Sequence, residues 1–194
     1  TIGFPFQERE VGMTVAVVVR GVVAETSRDA TYRGVDTRSG EFRRPVRVVP
    51  GVSVTVEPGL VMIPMARRGE PVTASVRLVA EEPEGIEGTL RLSVPSGWRV
   101  EPASVPVRFE REGEQRVIEL SVTPPSSARP GRVTLTATVE DTRGRRFDTG
   151  YTLVDYPHVE PWSLFRRAEV GVEVIDVAVP EGLRVGYVAA VGDN

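Results

Sequence analysis

Between Val52 and Val154 the chain keeps returning to one pattern, apolar residues at every second position, broken by turn residues at the spacing expected of short strands. Alternation with a period of two sends successive side chains to opposite faces of an extended strand. Such a segment is stable only in a sheet with one covered face and one wet face, so several of them in series call for two sheets packed face to face. Val72, Ala74, Val76, Leu78 and Ala80 alternate with Thr73, Ser75 and Arg77. Leu90, Leu92 and Val94 repeat the pattern, followed by Val105, Val107 and Phe109, then Ile118, Leu120 and Val122. Val133, Leu135, Ala137 and Val139 come next, and Phe147, Tyr151 and Leu153 close the series. The expected fold is all-β, an immunoglobulin-like β-sandwich of about seven strands. The 19 Gly and 16 Pro suit frequent turns and argue against helices. Glu112-Gly113-Glu114 and Thr142-Arg143-Gly144-Arg145 stand where hairpin loops are needed, their Gly supplying positive φ without steric cost.

The flanks read differently. Ile2 to Phe6 and Met13 to Val23 favour strands, and the second run is apolar enough to be buried on both faces. With Thr31-Tyr32-Arg33 and Arg43 to Val49 as further extended pieces, residues 1–50 are expected to be the C-terminal part of an upstream β-domain, ended by Pro50-Gly51. Residues 51–155 are the sandwich. Beyond Asp155, Pro157 and Pro161 fix φ and turn their predecessors away from helix, so Tyr156 to Trp162 is an extended crossover. Val170 to Val179 and Leu183 to Ala189 are expected to be the first strands of a truncated downstream α/β domain filling 156–194. The second of these strands, apolar almost throughout, reads as one covered on both faces.

Composition narrows the function classes. Hydrophobic residues at 40% and charged residues at 26% are ordinary for a globular protein, and the net charge of −3 is spread along the chain without basic blocks. Nucleic acid is therefore excluded as a partner. No run reaches the length of a membrane-spanning helix, which takes about 18 apolar residues. There is no Cys, so neither a disulfide framework nor a thiolate metal site can form.

His158 is the single histidine, and a zinc site built from one imidazole and carboxylates would depart from the usual ligand sets. Ser163, His158 and Asp155 lie in one stretch but lack a nucleophile elbow, so chance proximity is the better reading. Glu81, Glu82 and Glu84 lack the alternating spacing of a calcium loop and read as a solvated hairpin. Arg67-Arg68 and Arg166-Arg167 are expected at the surface, and Gly186 to Gly192 is too loosely spaced for a dinucleotide fingerprint. No catalytic residue, no metal site and no cofactor is assigned to the segment. Trp98, in a turn, can either cover the end of the core or offer a flat platform to a sugar ring. A carbohydrate-binding module would use Trp98 together with Tyr151.

Pro95-Ser96-Gly97-Trp98 with Val100 and Pro102, followed by Arg129-Pro130-Gly131-Arg132 and its strand, resembles the small sandwich associated with carbohydrate-binding modules of alpha-galactosidases (NPCBM-associated). The flanks look like the C-terminal half of large bacterial PIG-L/LmbE-type deacetylases. The residues in question are Tyr32-Arg33, Gly40 to Pro45, Val48-Val49-Pro50, Tyr156-Pro157-His158 and Asp176 to Val188. That family carries its zinc in a separate N-terminal domain, through a His-Pro-Asp-Asp motif and a later His, neither of which occurs here. The resemblance thus implies a non-catalytic segment whose partners are other domains of the same chain, with glycans as further partners. It also implies a zinc-dependent deacetylase as parent and a periplasmic or secreted location.

Overall fold

The computed structural model describes residues 10–37, 40–156, 161–178, 182 and 184–188. Four strands come first and form two hairpins, β1 (Gly12–Val19) with β2 (Val22–Asp29) and β3 (Thr31–Asp36) with β4 (Gly40–Pro45). The sandwich begins with β5 (Val52–Glu57) and β6 (Leu60–Pro64), and a single 3-10 turn at Met65–Arg67 leads to β7 (Val72–Ala80). Then follow β8 (Ile86–Ser93), β9 (Arg99–Glu101), β10 (Val105–Phe109), β11 (Gln115–Thr123) and β12 (Gly131–Asp141). The last four strands are β13 (Arg146–Phe147), β14 (Thr149–Val154), β15 (Trp162–Arg167) and β16 (Glu169–Ile175).

The all-β expectation holds. One sheet has the order β10-β8-β12-β16-β6 with β13 attached to β12; the other has the order β5-β7-β11-β9; β14 and β15 form a separate hairpin. All pairings are antiparallel except β16 with β6, which run parallel. The alternation read from the sequence decides which residues face inward. Val52, Val54, Val76, Leu78, Leu120 and Val122 of one sheet meet Leu90, Leu92, Leu135, Ala137 and Val139 of the other in a continuous buried core.

Several expectations need correction. The sandwich uses six strands in one sheet and four in the other, where about seven in all were foreseen. β16 does not open a downstream domain. It lies between β12 and β6, with Val170, Val172 and Val174 buried against the core. Its alternation of apolar and small or charged residues needs a cover on one face, and pairing between β12 and β6 turns that face onto the opposite sheet, beside Val52 and Val54. Of the run Leu183 to Ala189, the described residues 184–188 form no strand and are exposed, Val188 at 91%. β1 and β2 are exposed at every position, contrary to the expected burial, because each pairs with the other and no second layer covers either face among the described residues. Glu112-Gly113-Glu114 is not a hairpin loop, since β10 and β11 belong to different sheets; the turn carries the chain across the sandwich.

Candidate functional site

The hairpin β14–β15 stands beside the edge strand β5 and raises a wall along the outer face of the four-stranded sheet. A side chain replaces part of the missing ladder: Ser53, 3% exposed, accepts a hydrogen bond from the Tyr151 N–H at 2.8 Å and donates to the Tyr151 carbonyl at 3.4 Å. Gly150 permits the close approach, since a Cβ there would lie 2.6 Å from Thr55 Oγ1 and 2.9 Å from the Val54 carbonyl. The Tyr151 ring rests on Phe165, its register partner across the hairpin, with centroids 5.4 Å apart and planes tilted by 35°. Such a pair braces both rings.

Between this wall and the sheet runs a groove of about 370 Å³. Its floor carries Thr55 and Glu57 of β5, Arg77 and Val79 of β7 and Gln115 of β11, with Tyr151 and Leu153 on the wall. The floor residues are the outward positions of their strands, the ones left wet by the alternation. Arg77 lies 3.7 Å from Glu57. Glu81 closes one end, its carboxyl held above the ordinary carboxylate value by burial first and by the Glu112 charge second. A ring wall above donors and acceptors of both signs can hold a polar ligand; it has no nucleophile paired with a base.

Trp98 lies elsewhere. Its N–H donates to the Pro95 carbonyl at 3.2 Å across the turn, and its half-buried ring packs on the core. β9, which follows it, pairs with β11 on the edge of the sheet away from β5, at the Val72 end of β7. Ser53 and Tyr151 sit at the Val79 end. With a rise of about 3.4 Å per residue and strands about 4.8 Å apart, the two aromatic residues are roughly 30 Å from each other. The structure does not bring Trp98 and Tyr151 into one site.

A second polar cluster closes the β12–β13 hairpin. Asp141 is buried, and its Oδ1 accepts the backbone N–H groups of Arg143 (2.9 Å) and Arg145 (2.7 Å). Arg145 donates to Asp141 Oδ2 at 2.7 Å, reaches Glu82 Oε1 at 2.6 Å, and lies over the Phe147 ring. Burial alone would push the Asp141 carboxyl up, but the Arg145 guanidinium and the two N–H donors outweigh it and hold it below the ordinary value. Carboxylate and guanidinium satisfy one another here, so this corner is a structural pin. A hollow of about 440 Å³ on the outer face of the other sheet is lined by Glu87, Thr89, Arg91, Arg108 and Glu140, and lacks an aromatic wall.

His158 lies outside the described residues, so the stretch with Ser163 and Asp155 cannot be assembled from it; Ser163 is buried and Asp155 pairs with Arg44 at 3.1 Å. Of the three acidic residues at 81, 82 and 84, Glu82 is engaged by Arg145 and Glu81 lines the groove. Among the described residues no group of three or more His, Asp or Glu is placed to hold a metal ion, and no helix is long and apolar enough to cross a membrane. Arg67 pairs with Glu70 at the surface and Arg167 with Asp148, whereas Arg68, half-buried, donates to the Ala128 carbonyl. Sequence reasoning passed over Thr55, Glu57, Arg77, Gln115 and Phe165. Their polarity marks a wet face, and nothing local tells which wet face will gain a wall.

Residues 66–141 match the family described as the NPCBM-associated, NEW3 domain of alpha-galactosidase. The match includes the Trp98 turn and the Pro130-Gly131 strand entry on which the likeness to that domain was expected. Among curated proteins no sequence match is found. Solved structures similar to the chain include WR4, an MSP family member of C. elegans, at 11% identity over 63% of this chain and 97% of that one, with a TM-score of 0.33. A PapD-like domain of human CEP192 is similar at 13% identity over 74% of this chain and 99% of that one, TM-score 0.36. A family 123 glycoside hydrolase from Clostridium perfringens is similar at 8% identity over 66% of this chain and 28% of that one, TM-score 0.35.

Proposed function

We propose that this β-sandwich is a non-catalytic accessory segment that holds neighbouring parts of a bacterial multidomain hydrolase in fixed relation, the parent being similar to PIG-L/LmbE deacetylases. What supports the reading is the stitching of the leading hairpins to the segment that follows β14. Arg44 pairs with Asp155, and the Arg47 guanidinium donates to the Pro161 carbonyl at 3.0 Å, 114 residues away in sequence. The match over residues 66–141 to a domain associated with a hydrolase points the same way. Zinc, on this reading, belongs to a separate catalytic domain of the parent; the described residues offer it no ligand cluster, and no step is assigned to it. The parent is read as periplasmic or secreted, with its other domains as the partners of this segment. Assay of the segment against N-acetylglucosaminides, with and without added zinc, should give no turnover. Metal-dependent deacetylation by this chain would overturn the proposal.

A second reading, a carbohydrate-binding module, is favoured by one observation, the groove walled by the braced Tyr151 ring.

A further inference from the structure

We propose that the groove between β14 and the outer face of β5, β7 and β11 binds a neutral oligosaccharide, with Tyr151 as its platform and Arg77 as its principal hydrogen-bond donor. The proposal rests on the carbohydrate-binding reading and deepens it by naming the site and the ligand class. Five features of the groove converge on that class.

The wall is built in advance. The Ser53 clip and the close approach at Gly150 fix the backbone of β14, and Phe165 braces the Tyr151 ring, so little conformational freedom is left to lose on binding. The ring and Leu153 present an apolar surface suited to the C–H face of a sugar. The floor opposite supplies guanidinium donors from Arg77, carboxylate acceptors from Glu57 and Glu81, and groups that do both in Thr55 and Gln115. A ligand that meets donors and acceptors at short intervals and an apolar plane on its other side is a polyhydroxylated ring. The charged groups decide its charge: two carboxylates and one guanidinium give the groove an excess of one negative charge, which disfavours an acidic glycan. The volume, about 370 Å³, falls in the range of small-molecule sites, about 300–1,000 Å³.

The test is an array of neutral and acidic glycans, followed by titration calorimetry of the whole segment with the best-retained neutral oligosaccharide. Tyr151→Ala should weaken binding about tenfold, the scale of a lost aromatic contact. Arg77→Ala should weaken it severalfold, and Trp98→Leu, roughly 30 Å away by strand geometry, should leave it unchanged. Arg77 is half-exposed on the sheet face, so its variant decides the matter should Tyr151→Ala fold poorly. Binding that survives both groove variants and is lost in Trp98→Leu overturns the groove but leaves the carbohydrate reading standing. Retention of acidic glycans alone overturns the ligand class, and retention of no glycan overturns both the groove and the reading it rests on.

Discussion

Two carboxyls near one end of the sandwich are pulled in opposite directions, and their pH signatures are opposite too. Asp141 is held below its ordinary value of 3.8. Its ionised form is favoured by folding, so the stability it contributes is complete above that value and is lost as pH falls through the lower folded value. Glu81 is held above its ordinary value of 4.5, by burial and then by Glu112. Its contribution is complete below that value and is lost as pH rises through the raised one. Asp141→Asn, which keeps the shape and removes the charge that Arg145 and the two N–H groups hold, should lower the melting temperature at pH 7. The deficit should close in strongly acid solution, where the wild-type carboxyl is itself protonated. Glu81→Gln should raise the melting temperature at pH 7 and lose that advantage at pH 4. Thermal melts of both variants across pH 2–8 check the pair; a deficit in Asp141→Asn that did not change with pH would show that the carboxylate's charge is not what holds the turn. Neither residue's role was legible in the sequence. Asp141 ends an alternating run, where a polar residue at an inward position looks like the end of the strand; its partners are set by the fold of the turn.

At the scale of the strand, alternation identified the inward residues of β7, β8, β11 and β12 correctly, because the period-two rule is local. It could not say which strand lies beside which. β16 carries the same alternation as β12, yet the two prolines before it suggested a new domain, and only the long-range register with β12 and β6 places it. β1 shows the converse: a run of Val is rich enough for burial, but burial needs a second layer, and the hairpin has none among the described residues. Two-stranded ribbons of this kind are marginal by themselves in water. The distinction is measurable with one substitution at an inward position and one at an outward position. Val172→Ala removes two methyl groups from a site 1% exposed and should cost about 2 kcal/mol, the transfer of two methylene equivalents plus a small cavity. Val117→Ala, at 64% exposure on the outer face of β11, should stay within about 0.5 kcal/mol of wild type. Chemical denaturation of both settles it, and equal losses at the two positions would mean that β16 is not part of the core.

For the molecule as a whole, the position of β16 determines what can fold alone. Cutting the chain after Asp155 removes the strand that joins β6 to its sheet and strips the cover from one edge of β12. Val170, Val172 and Val174 are each buried to 3% exposure or less. At about 1.5–3 kcal/mol for each buried side chain of this size, their loss amounts to several kcal/mol, before any count of ladder hydrogen bonds left open. A domain's entire margin is about 5–15 kcal/mol, so residues 51–155 expressed alone should be largely unfolded or melt without cooperativity. Residues 51–178 should melt in one sharp transition, since every pairing of the two large sheets is then present. Deleting residues 1–50 from the whole segment should leave that transition nearly where it was, because β1 and β2 cover none of the core and the leading hairpins are tied on through exposed groups such as Arg44. Calorimetry of the three truncations decides the order. A cooperative melt from 51–155 at the temperature of 51–178 would show that the sandwich closes without β16, and the parallel pairing with β6 would then be an addition to a complete fold.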